Sequence, residues 1–145
     1  MKHAVVAGAL VALLGTFALP ATADDDAIKY RQAIFKAIGG HMTALVGIVR
    51  QEVPHGDDRA VHAAGMAGLA PLTHHIFPEG SGAGRTDALP AIWSDASGFA
   101  DRRQAFIDAA NGLNAVADGS MRDFVGAFQR LGQSCQGCHE NYRAD

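Results

Sequence analysis

At 145 residues and 15.1 kDa the chain has room for one core and too little length for two ordinary domains. A formal net charge of -3, with 19% charged residues, lacks the basic excess that a nucleic-acid partner would demand. Apolar residues make up 48% but aromatic ones only 7%, and Ala and Gly dominate, a mixture that disfavours a sheet-based core.

The first 23 residues follow the pattern of an export signal. Met1-Lys2-His3 gives a charged start and Ala4 to Leu19 an apolar run; Pro20 breaks the run, and Ala21-Thr22-Ala23 presents the small residues that a signal peptidase reads. The run is short for a bilayer span, so the chain is expected to be cleaved after Ala23 and released into the oxidising periplasm without a membrane anchor. Residues 24–145 then form the folded domain.

Residues 26–52 carry Ile28, Phe35, Ile38, Met42, Leu45 and Val49 at alternating spacings of three and four, the seam of a bundle helix, with Arg31 on the same seam. A second stripe of Ile34, Ala37, Ala44 and Ile48 widens that face. Asp57 or Asp58 is placed to cap a second helix, rich in Ala and Gly, that runs from Arg59 to about Ile76, with Pro71 set to kink it or end it early. Phe77 to Pro90 is rich in turn formers and reads as the one long connection. A third helix starts between Ala91 and Ser97, carries Phe99, Arg103, Phe106, Ala110 and Leu113 inward, and closes at Ala117-Asp118-Gly119. Ser120 caps a fourth, with Asp123 three residues on as a weaker capping box. Its seam is Met121, Phe124, Phe128, Leu131, Cys135, Cys138 and Tyr142. Four amphipathic segments without strand-like alternation specify an all-α, antiparallel four-helix bundle.

The chemistry lies in Cys135-Gln136-Gly137-Cys138-His139, the C-x-x-C-H attachment sequence for c-type haem. Two thiols one helical turn apart can both join the porphyrin vinyl groups, and the next imidazole reaches the iron. A thioredoxin-like dithiol fits less well, because no strand precedes the pair. A structural zinc would want a fourth ligand, and an intrahelical disulfide would constrain almost nothing. A haem held between the helices also supplies the volume that so many Ala and Gly side chains leave unfilled.

Four local matches make the sequence resemble the cytochromes c′, exported four-helix bundles with the haem near the C-terminus. They are Lys29-Tyr30-Arg31-Gln32, Asp87 through Asp95, the haem motif, and Glu140-Asn141-Tyr142-Arg143. The resemblance implies one covalent haem c on Cys135 and Cys138, with His139 as the iron ligand. It implies that Arg31, Gln32 and Asp87 lie near the propionates, that Arg143 stands by the proximal imidazole, and that Phe35 faces the sixth coordination position. Periodicity alone makes Phe35 a core aromatic; the resemblance makes it the distal residue. Met42 is the alternative sixth ligand, but it stands two turns, roughly 10 Å, beyond Phe35 and reads better as core packing.

An apolar distal residue offers bound dioxygen no hydrogen bond, so the expected function is binding of nitric oxide and carbon monoxide at a five-coordinate, high-spin haem. The alternative is a periplasmic electron carrier serving a redox partner protein. Enzyme activity is not expected, since no distal His or Arg pair accompanies Phe35. His41, His55, His62, His74 and His75 read as solvated, with His74-His75 the only pair. The double stripe of the first helix and the small residues of the second point to a homodimer through these helices.

Overall fold

The computed structural model describes residues 25–144; the export signal expected over residues 1–23 lies outside them. The helices are α1 (Asp25–Val49), α2 (Arg59–Leu69), the single-turn α3 (Ala91–Ser94), α4 (Ala96–Ala115) and α5 (Met121–Tyr142). Packing of α1 on α2, α2 on α4 and α4 on α5 builds the all-α four-helix bundle. Among the described residues the only strand-like pairing is one isolated antiparallel bridge, between Ala88 and Arg143.

Asp25 and Asp26 in the first turn of α1 complement the helix dipole. The helix is long and apolar enough to cross a bilayer, yet it is packed as a bundle helix, with Ile28, Ile38, Leu45, Ile48 and the charged Arg31 buried. It ends at Val49, the last apolar residue of the seam and three residues short of the 26–52 segment, in a Schellman arrangement. Gln51 N–H donates to the Ile48 carbonyl at 3.1 Å and Glu52 N–H to the Gly47 carbonyl at 2.9 Å. Gln51 occupies the left-handed position at φ 58°.

Asp58 stands at the N-cap position of α2 without capping it. Its φ of -75° and ψ of -7° are helical, and a 3-10 turn at Gly56–Asp58 feeds α2 in its place. Arg59 ties this start to the α4–α5 turn, donating to the Ala117 carbonyl at 2.7 Å and the Gly119 carbonyl at 3.2 Å. The second helix stops at Leu69, earlier than Ile76, because Pro71 has no N–H for the carbonyl four residues back; the chain tightens into a 3-10 turn over Ala70–His74.

The third helix is split at Asp95, whose φ of -120° breaks the run and whose carboxylate accepts from Gly98 N–H at the start of α4. Ser120 caps α5 as its sequence suggests: its hydroxyl accepts from Asp123 N–H at 3.2 Å and donates to the Asp123 carboxylate at 2.7 Å. The inward seams of α4 and α5 are close to those read from the sequence, except that Met121 is exposed. Leu45, Met66, Leu113, Phe124 and Leu131 fill the main core, and Ile92, Phe99 and Tyr142 form a smaller cluster.

Candidate haem site

A cavity of about 480 Å³ is bounded by α1, α4, α5 and the long connection, within the roughly 300–1,000 Å³ range of small-molecule sites. Arg31, Gln32, Phe35 and Met42 line it from α1, and Phe77, Thr86, Asp87 and Ala88 from the connection. Phe99, Arg103 and Phe106 face it from α4, and Cys135, Cys138, His139, Tyr142 and Arg143 from the end of α5. All eight residues that the sequence singles out therefore meet in one cavity.

Helical spacing explains the α5 wall. Positions 135, 138 and 139 stand at i, i+3 and i+4, so both sulfurs and the imidazole share a face. Both cysteines are half-buried, and burial pushes their thiols up. At Cys138 the neighbouring Cys135 adds to that shift, while Arg102 and Arg103 oppose it. Burial, and next the charge of Arg143, push His139 down and favour the neutral imidazole, the form with a lone pair for a metal.

The connection is anchored chiefly by Arg31, which is only 3% exposed. Its guanidinium donates to the Ile76 carbonyl at 3.2 Å and, at 2.8 Å each, to Ser81 Oγ, the Ser81 carbonyl and Thr86 Oγ1. It also lies 4.8 Å from the ring centre of Phe77. Gln32 adds a bond to the Arg85 carbonyl at 2.9 Å. The far end of the connection is stitched to the chain terminus, with Leu89 N–H on the Tyr142 carbonyl at 3.1 Å and Ala144 N–H on the Asp87 carbonyl at 2.8 Å. These bonds bring Asp87 and Arg143 to the same cavity. Ser81 is not marked by local sequence: it lies in a turn-rich stretch without periodicity, and its one signal is an arginine on an apolar seam that needs buried acceptors.

Phe35 is not a core aromatic. It is 37% exposed, and its ring centre stands 6.0 Å from that of Phe77. Arg103 lies 5.4 Å over the Phe99 ring, and its buried Nε has no hydrogen-bond partner among the described residues.

Residues 26–143 match the family model described as Cytochrome C'. The chain belongs to the cytochrome c′ family. A cytochrome c' from Pararhodospirillum photometricum is 36% identical over 118 residues, covering 80% of this chain and 94% of that one. The solved cytochrome c prime from Shewanella frigidimarina superposes with a TM-score of 0.80 at 34% identity, covering 83% of this chain and 96% of the other. A mutant of the Alcaligenes xylosoxidans protein, solved as a nitric oxide complex, gives a TM-score of 0.77 at 32% identity, with 86% and 98% covered.

Cytochromes c′ are exported, periplasmic haem proteins that carry electrons or sense gases and are not enzymes, and this chain is one of them. It carries a single covalent haem c. The cavity suits that group: apolar walls, two cysteines and an imidazole on one helix face, and an unpartnered guanidinium donor at Arg103 for a carboxylate.

Proposed function

We propose that this cytochrome c′ binds nitric oxide and carbon monoxide at a five-coordinate, high-spin haem iron, with Phe35 as the residue covering the distal face. The haem supplies an iron position for a diatomic ligand and a one-electron redox couple. Cys135 and Cys138 hold it through thioethers, and His139 gives the iron its protein ligand. Arg31 and Gln32 keep the connection closed over the cavity, and Arg103, with Gln32, Asp87 and Arg143, forms its polar rim.

The observation that carries this reading is the Phe35 ring lying partly free in the cavity, from α1, while the haem motif enters from α5. A phenyl ring has no lone pair for iron and no donor for bound dioxygen, so it leaves the site to small ligands that need neither. The solved nitric oxide complexes of the Alcaligenes xylosoxidans protein support the same ligand class. Titrating the ferrous holoprotein with nitric oxide tests the proposal: a saturable spectral change at one ligand per haem is expected. An unchanged spectrum would contradict it.

Electron transfer to a redox partner is favoured by a different surface. Asp95, Asp101, Arg102 and Asn141 line a polar depression on the outer side of α4 and α5. Arg102 also lies against Gly137 within the haem motif, where an added Cβ would come within 3.3 Å of its Nη1. Charge there can steer a protein partner to the haem. Loss of salt-dependent electron exchange in Arg102→Gln would support this second use of the same haem.

Assembly as a homodimer through α1 and α2 is supported by surface left uncovered within one chain. Ala33, Ala37 and Gly40 are exposed on α1, Val61 on α2 is 67% exposed, and such small residues allow close backbone approach. Light scattering should give twice the chain mass. Removal of the leader after Ala23 is checked by N-terminal sequencing of the exported protein, which should begin at Asp24.

A further inference from the structure

Outside the haem cavity, α1 and α2 bring together two histidines, His41 and His62, that the sequence alone makes solvated. His41 and His62 are both half-buried, their Nδ1 atoms 3.1 Å apart and their ring centres 5.3 Å apart at an interplanar angle of 67°. Twenty-one positions of chain separate them, so only the packing of α1 on α2 makes the pair. A glycine shapes its seat: a Cβ on Gly65 would collide with Cε1 and Nε2 of His41. The imidazole thus lies directly against the α2 backbone.

Two ring nitrogens facing each other at this distance can be satisfied in two ways. One ring can donate its N–H to the other, or both lone pairs can point at a shared cation. With metal–nitrogen bonds of about 2.0–2.1 Å and an angle near 90–110° at the metal, two ligand nitrogens stand about 2.8–3.4 Å apart. The observed 3.1 Å falls inside that interval.

We propose that His41 and His62 form a bidentate site for a divalent transition-metal ion, separate from the haem iron. Both Nδ1 atoms are the ligands, and water fills the remaining positions. Among the described residues no cluster of three or more His, Cys, Asp or Glu side chains offers a metal site, so this pair makes an open site and not a closed structural one. Imidazole suits copper, nickel and zinc, and of these Cu²⁺ binds such nitrogen sites most strongly.

The test is calorimetric titration of untagged ferric holoprotein with Cu²⁺, read in parallel by electron paramagnetic resonance near the copper g values. One tightly bound ion per chain, with imidazole nitrogen coupling, is the expected result. His41→Gln and His62→Gln should each weaken binding by at least about tenfold, while His74→Gln and His75→Gln leave it intact. Gly65→Ala, which removes no ligand but dislodges His41, should weaken it as well. The haem spectrum and circular dichroism of each variant establish that it has folded. Absence of stoichiometric Cu²⁺ binding to the parent protein, or equal binding by the folded His41→Gln/His62→Gln variant, would overturn the proposal and leave the pair as a hydrogen bond between helices.

Discussion

Arg31 does two things with one side chain: it forms part of the cavity wall and it holds the connection that closes it. Burial pushes the guanidinium down from its ordinary value, and four hydrogen bonds offset the desolvation. Arg31→Ala leaves buried groups of Ile76, Ser81 and Thr86 without their donor and should cost roughly 2–4 kcal/mol in urea unfolding. Limited proteolysis should then cut within residues 77–90 faster than in the parent. Lysine should not rescue it, because an ammonium lacks the planar fork that reaches acceptors from two nitrogens. Phe35 behaves differently. Its ring is partly exposed, so Phe35→Ala should cost less than the roughly 3–5 kcal/mol of a fully buried Phe. Carbon monoxide should bind the ferrous variant faster and more tightly, as measured by flash photolysis and equilibrium titration. Unchanged binding with lower stability would reduce Phe35 to packing.

At the scale of elements, termini decide how well sequence and structure agree. Ser120 with Asp123 was legible because the cap is local, and Ser120→Ala should cost about 1 kcal/mol. The end of α1 was not, because Gln51 is a poor residue for a left-handed position and carries no stop signal. Gln51→Gly should therefore stabilise the protein by about 1 kcal/mol, measured as a higher midpoint in urea at unchanged m. The seams of α4 and α5 were readable from periodicity, as was the gathering of the haem motif on one face. What periodicity could not show was pairing across elements: Arg31 with Ser81, Asp95 with Tyr142, and His41 with His62 all depend on which helix or loop lies opposite.

Across the whole molecule, the end of α5, the lead into α4 and the end of the connection are fastened together beside the haem motif. Tyr142 donates its hydroxyl to the Asp95 carboxylate at 2.7 Å, and its backbone carbonyl receives Leu89 N–H. The Tyr142 hydroxyl, and next Gly98 N–H, hold the Asp95 carboxyl below the usual carboxylate range, while Asp95 pushes the Tyr142 hydroxyl up. Asp95 thus contributes stability above its unfolded value of about 4, lost as pH falls through its depressed folded value. Tyr142 contributes stability below its unfolded value of about 10, lost as pH rises through its raised one. Tyr142→Phe should lower the melting temperature across the intervening plateau and converge with the parent at both extremes; a constant offset at all pH values would assign the loss to packing.

The fastening suits the proposed arrangement, in which Cys135, Cys138 and His139 of α5 would hold the haem and Phe35 of α1 would face the gas site. The absorption spectrum of the ferrous holoprotein, recorded before and after carbon monoxide is added, tests that arrangement most directly. A broad high-spin, five-coordinate spectrum that sharpens into a carbon monoxide complex is predicted. Sharp low-spin bands already present without carbon monoxide, and unmoved by it, would show that a side chain such as Met42 holds the sixth position and would contradict the account.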